Sequence, residues 1–173
     1  MKRDFVLPVL VLSCICLLMT GALALSNAVT RPVITEAANR RAEEAMKEII
    51  PQASQFTPIL REDFPGSVAE AYAADGGGAG FIFIVLPSGY GGEITILCGI
   101  DPEGKMLKSA VLAHTETQGL GTLVFDKAHQ YEGKDQNLHG VDAIAGSTIT
   151  SRAYRNGIQD AFEAFEMVKE AAP

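Results

Sequence analysis

Ten residues near the C-terminus concentrate the chemistry of this chain: Asp142-Ala143-Ile144-Ala145-Gly146-Ser147-Thr148-Ile149-Thr150-Ser151. Small residues lead into the start of a helix, and four hydroxyls (Ser147, Thr148, Thr150 and Ser151) crowd five positions behind a glycine. Gly146 lets the backbone take a conformation closed to other residues, or approach a ligand closely. The first turn of a helix offers free N–H groups and the positive end of its dipole, and together these favour a phosphate. Serine and threonine are also the ordinary capping residues of helices, and on residue types alone that plainer reading is favoured. Four hydroxyls exceed what a cap uses, but the excess does not name a ligand.

Two other segments share this density of glycine and polar residues. One is His114-Thr115-Glu116-Thr117-Gln118-Gly119-Leu120-Gly121; the other is Gly89-Tyr90-Gly91-Gly92, between two strand-like runs. With these three segments in hand, a family resemblance becomes specific. Asp142-x-x-Ala145-Gly146-Ser147-Thr148 resembles the flavinylation motif of the FMN-binding domain family: aspartate, two free positions, Ser or Thr, Gly, Ala or Ser, then Thr or Ser. Ala145 departs from it, standing where the family usually has serine, while Thr150-Ser151 matches the usual continuation. The loop from His114 to Gly121 resembles the family's Glu-Thr-Pro-Gly-Leu-Gly loop, with Gln118 in place of proline. The glycine loop at 89–92, followed by strand, a Gly104-Lys105 turn and strand, resembles the G subunit of Rnf-type electron-transport complexes. The resemblance covers nearly the whole chain. The C subunit of the Na+-pumping NADH:quinone complex shares the flavin motif, but this chain is short for it.

The resemblance implies that a flavin transferase links FMN through its phosphate to the hydroxyl of Thr148. It further implies a cofactor site formed by Gly146, Ser147, Ile149, Thr150, Glu116, Thr117, Gly119 and Leu120. Glu116 and Thr117 are candidates to hydrogen-bond the isoalloxazine or ribityl chain, with stabilisation of their own loop as the alternative. Glycines on both sides of Leu120 let the backbone approach a flat ligand. Asp142 is a candidate for holding the loop before Thr148 or for serving the transferase. His114 is a candidate flavin neighbour, although a hydrogen-bonded structural histidine is the plainer reading. Tyr90 is a possible stacking partner, with ordinary packing favoured.

The function implied is an electron relay: a membrane-anchored subunit of a ferredoxin:NAD oxidoreductase that moves Na+ or H+, with the other membrane and peripheral subunits as partners. The alternatives are a stand-alone extracytoplasmic FMN-binding module and an anchored scaffold without flavin. No Gly-x-Gly-x-x-Gly follows a strand, and no cysteine spacing suits an iron–sulfur cluster, so the chain is not expected to oxidise NADH or ferredoxin alone.

These loops need elements to position them. Phe81–Leu86 reads as a buried strand, and Ile94–Ile100 and Met106–His114 as a hairpin around Asp101-Pro102-Glu103-Gly104. A short helix is expected around Phe125–Tyr131. A helix from Thr150 to Glu170 should lay Ile158, Phe162, Phe165 and Val168 on the sheet. Gln52–Gly80 reads as irregular, with some edge strand, punctuated by prolines and Gly76-Gly77-Gly78. Upstream, an amphipathic helix over Thr35–Ile50 is expected, with Thr35 as its cap, Ala38, Ala42, Ala45, Met46 and Ile49 on its apolar face, and Pro51 ending it. The expected class is α+β with a mainly antiparallel sheet and flanking helices.

Composition sets the outer limits. The chain has 173 residues and a net charge of −7, a poor surface for nucleic acid or an anionic membrane face. Its 47% apolar content is raised by one segment, Phe5–Thr30, which has no charged side chain. About 20 such residues cross a bilayer. The expected organisation is therefore an anchor over residues 1–30 and an extracytoplasmic FMN-binding domain over 31–173. Lys2 and Arg3 place the N-terminus in the cytoplasm of a single-pass protein of the inner or plasma membrane. A cleaved signal peptide ending near Ala22-Leu23-Ala24 is the rival, disfavoured because its apolar core would run only about 7–15 residues. A lipoprotein reading through Cys14 is weaker, since that cysteine sits inside the apolar run. Cys16 pairs with it at no metal-ligand spacing, and Cys98 reads as a small buried hydrophobe.

Overall fold

The computed structural model describes residues 2–61, 63–76 and 80–169, with backbone alone for 2–5. Gly77, Gly78 and the expected helix end at Glu170 lie outside the described residues. The chain divides into two compact units, one ending at Arg40 and the other beginning at Arg41.

In the first unit, every described residue is helical. It belongs to α1, Lys2–Ile49, a helix long and apolar enough to cross a membrane. At about 1.5 Å per residue, the uncharged run Phe5–Thr30 alone spans about 39 Å, more than the roughly 30 Å of a bilayer core. Its large apolar side chains, among them Leu7, Leu17, Leu23 and Val29, are exposed on all sides of the helix.

The helix expected to start at Thr35 is not a separate element, because α1 runs through Pro32 without a break. Proline withholds one N–H from the ladder. Thr35, three residues on, directs its hydroxyl back to the Arg31 carbonyl at 3.0 Å. This is the back-bonding of a mid-helix threonine, so Thr35 caps nothing. Ala38 is exposed, and the buried face of α1 starts only at Ala42.

The second unit is built on a five-stranded antiparallel meander in the order β1-β2-β3-β4-β5: β1 Gln55–Pro58, β2 Val68–Asp75, β3 Phe81–Val85, β4 Thr95–Ile100 and β5 Met106–Ala113. Alternation along β3 and β4 explains its two covered faces. Phe83, Val85, Ile96, Cys98 and Ile100 point to one side and pack with Tyr154, Ile158, Phe162 and Phe165 of the last helix. Ile82, Ile84 and Leu97 point to the other, where Met46, Ile49 and Ile50 cover them. Gly99 lies on that second face, where a Cβ would collide with Ile49. The β4–β5 turn closes as expected: Gly104 donates to the Asp101 carbonyl at 3.0 Å, and its φ is +82°.

A short helix α2, Leu123–Asp126, and a 3-10 turn, Ala128–Tyr131, follow. The last helix, α3, spans Thr148–Lys169 and begins two residues earlier than expected. Burial pushes the Cys98 thiol far above its ordinary pKa, consistent with an inert core residue.

Candidate functional site

The three glycine-bearing segments meet at one place. Tyr90, Glu116, Thr117, Leu120, Gly121 and residues Gly146–Thr150 line an open cavity of about 420 Å³, a volume within the range of small-molecule sites. Among the described residues, neither lysine nor arginine lines it.

One wall is the start of α3. Ser147 N–H closes a turn onto the Ile144 carbonyl at 3.0 Å, with Gly146 at its third position and φ +83°. Only glycine takes that conformation without strain, which is why the motif needs it. Ser151 Oγ accepts from Ile144 N–H at 3.1 Å, tying the turn to the first turn of the helix. Among the described residues, the N–H groups of Thr148, Ile149 and Thr150 have no acceptor. Ser147 occupies the capping position, yet its Oγ bonds none of them. It is buried, 5% exposed, without a hydrogen-bond partner. A buried hydroxyl left unpaired beside three free N–H groups is an arrangement that an anion completes.

The four hydroxyls are not equivalent. Ser147, Thr150 and Ser151 are buried, and Thr150 Oγ1 is committed to Glu116 Oε2 at 2.8 Å. Thr148 is exposed. Sequence alone could not separate them, because the separation comes from how α3 is turned on the sheet.

The second wall is the Glu116 loop. Its carboxylate is buried, accepting from Gly91 N–H at 3.0 Å with one oxygen and from Thr150 with the other. Thr117 is exposed and begins a turn that Leu120 N–H and Gly121 N–H close onto its carbonyl, at 3.3 and 2.8 Å. Gly119 holds φ +77° there. Leu120 and Ile149, 47% and 57% exposed, leave apolar surface at the mouth.

The third wall is the Gly89–Gly92 loop. It folds tightly, with Gly89 N–H on the Gly92 carbonyl at 2.7 Å, and Thr115 Oγ1 donates to the Gly91 carbonyl at 2.9 Å. A Cβ at Gly89 would strike the Glu116 carboxylate, and one at Gly91 the Thr115 carbonyl. Tyr90 is 72% exposed at the cavity edge, so the ordinary packing role expected for it is not what the structure shows.

His114 and Asp142 do not line the cavity. His114 follows the end of β5, exposed, with its ring 4.8 Å from that of Phe125. Asp142 is also exposed. The Gln130 amide grips its backbone from both sides, accepting from Asp142 N–H at 3.2 Å and donating to its carbonyl at 3.4 Å. Sequence reasoning missed Gln130, since nothing local marks a clamp formed 12 residues away.

Residues 89–163, which carry the cavity and the anion-ready helix start, match the FMN-binding domain family, so the chain contains a domain of the flavin-mononucleotide-binding class. The chain belongs to the family formed by the G subunits of ion-translocating oxidoreductase complexes. It is 30% identical to the G subunit of the ion-translocating oxidoreductase complex of Shewanella piezotolerans, over 92% of this chain and 88% of that one. It is 28% identical to the G subunit of the Na(+)-translocating ferredoxin:NAD(+) oxidoreductase complex of Acetobacterium woodii, over 91% and 89%. The G subunit of the proton-translocating ferredoxin:NAD(+) oxidoreductase complex of Clostridium ljungdahlii is 26% identical, over 78% and 77%. The FMN domain and the apolar helix make this chain a membrane-associated flavoprotein.

Proposed function

We propose that this chain carries FMN in phosphodiester linkage to Thr148 and relays electrons through it, as a subunit of a ferredoxin:NAD oxidoreductase complex that moves Na+ or H+ across a membrane. One observation carries the choice of residue. Of the four hydroxyls at the start of α3, Thr148 alone is exposed to an incoming transferase, while the other three are buried.

The surroundings fit the group. The free N–H groups of Thr148, Ile149 and Thr150, with the unpaired Ser147 hydroxyl, suit its phosphate. Leu120, Ile149 and Tyr90 offer apolar and aromatic surface for a flat ring. When bound, the flavin supplies reversible electron transfer, and the protein supplies position and electrostatics. Gly146 and the turn it permits hold the acceptor hydroxyl at the cavity, and Thr117 and Gly119 shape the facing wall. Asp142, exposed on its Gln130 clamp, is available to the flavin transferase that makes the linkage.

In this reading residues 1–30 form the anchor and 31–173 the cofactor domain. Lys2 and Arg3 keep the N-terminus in the cytoplasm and place the domain outside. A covalent tether suits that side of the membrane, where lost FMN is not easily regained. The anchor holds the domain near the other subunits, raising their effective concentration.

The test is in-gel flavin fluorescence of the denatured protein, co-expressed with a flavin transferase, beside Thr148→Ala. Fluorescence that survives denaturation in the parent and is lost in the variant is the expected result. A parent that stays dark beside an active transferase removes the covalent cofactor from this reading.

A further inference from the structure

We propose that Glu116 is a positioning residue for flavin attachment: through Thr150 it fixes the first turn of α3, and so the direction in which Thr148 presents its hydroxyl. The proposal rests on the reading of Thr148 as the acceptor.

Four observations converge on this carboxylate. It is buried, at 7% exposed, and lines the cavity. Its two oxygens bond the two walls on either side of it, Gly91 N–H at 3.0 Å and Thr150 Oγ1 at 2.8 Å, while its own backbone forms the remaining wall. Thr150 is two residues past Thr148, in the first turn of α3, and is 1% exposed. Gly89 and Gly121 make room for the carboxylate, since a Cβ on either would meet one of its oxygens. With both oxygens bonded to protein, Glu116 acts on the site by holding its walls together. A buried carboxylate with two donors rigidifies what it joins.

Glutamine separates position from charge. Its carbonyl can accept from Gly91 N–H while its amide donates to the Thr150 hydroxyl, which can turn to accept. Glu116→Gln therefore keeps the three walls fastened and removes the charge. Glu116→Ala removes both bonds. Thr150→Val removes the hydroxyl with little change of shape, and Thr150→Ser restores it.

The experiment uses the full-length chain in membranes with a flavin transferase. It follows the rate of covalent flavin loading, with the conservative variants as the rescue comparison. Loading of Thr150→Val and Glu116→Ala should slow at least about tenfold, equivalent to about 1.4 kcal/mol of lost alignment. Glu116→Gln and Thr150→Ser, which keep the two bonds, should load faster than Glu116→Ala and Thr150→Val and close to the parent rate. Should Glu116→Ala fail to fold, the Thr150 pair carries the same comparison. Loading of Thr150→Val at the parent rate overturns the proposal. So does a Glu116→Gln that loads as slowly as Glu116→Ala, since loading would then need the charge and not the bonds. A parent that takes no flavin at all overturns the Thr148 reading itself, an outcome distinct from either.

Discussion

Gly121→Ala isolates the packing behind the site. Gly121 does not hold a positive φ, so alanine meets no backbone strain there. Its Cβ would lie 2.5 Å from Glu116 Oε2 and 2.8 Å from Glu116 Cβ. Because the second contact is at the root of the side chain, rotating the carboxylate aside does not relieve it. Glu116 must shift bodily, and it is buried. Overpacking of this kind costs about 1–3 kcal/mol. Losing a hydrogen bond to a charged group costs about 1.5–3 kcal/mol. The same displacement produces both effects, so they overlap, and the expected destabilisation is about 2–4 kcal/mol. Urea unfolding of the detergent-solubilised chain, followed by circular dichroism, measures it. The decisive comparison is a double-mutant cycle with Glu116→Ala. With the side chain gone the clash disappears, and Gly121→Ala should become neutral or slightly stabilising through its effect on the unfolded chain. Equal cost in both backgrounds would refute this reasoning and place the intolerance in the loop backbone.

Two other outcomes follow from local geometry. Gln118 occupies the second position of the turn from Thr117 to Leu120, where proline is favoured; Gln118→Pro should therefore stabilise the chain by about 0.4–1 kcal/mol in the same urea assay, and destabilisation would mean the backbone there is not preset for proline. Burial pushes the Tyr131 phenol up to about 12 from an ordinary 10.0, so its contribution to stability is complete below pH 10 and is lost as pH rises through about 12; phenolate absorbance should show Tyr131→Phe delaying alkaline unfolding, and an unchanged onset would count against this.

How much of this was legible depends on where the determining contacts lie. The β4–β5 hairpin was readable because β-branched runs flank a turn whose glycine must take positive φ, and all of that information is local. β2 was not readable. Its sequence, Val-Ala-Glu-Ala-Tyr-Ala-Ala-Asp, is poor in strand formers, and it is a strand because β1 and β3 pair with it on both sides. The continuity of α1 was misread for the opposite reason, a local rule applied too strictly: Pro32 withholds one N–H, and the alanine-rich sequence beyond it continues the helix. At the site, the motif residues were visible as types and spacings. Their division into one exposed hydroxyl and three buried ones was not, since it depends on how Ile158, Phe162 and Phe165 seat α3 on the sheet. Glu116 was visible as a candidate, but its bond to Thr150, 34 residues away, was not.

The two departures from the family motifs have one explanation. Both fall at the second position of a turn whose third residue is a glycine with positive φ: Thr117-Gln118-Gly119-Leu120, with Gly119 at +77°, and Ile144-Ala145-Gly146-Ser147, with Gly146 at +83°. In each, a backbone bond from the fourth residue to the first carbonyl closes the turn, and the exposed second side chain takes no part in it. The first is also held by Gly119 N–H on Thr122 Oγ1 at 3.0 Å, the second by Ser151 Oγ on Ile144 N–H. What these turns require is the glycine and the closing bond, and both are kept. Gln118 gives up only the preset φ of proline, and Ala145 gives up a hydroxyl that the turn does not use. The two turns also face each other across the cavity wall, where a Cβ on Gly146 would touch Leu120 Cδ1 at 3.4 Å. The conformations the glycines permit thus set both the start of α3 and the apolar surface opposite it, while the residues beside them are free to vary.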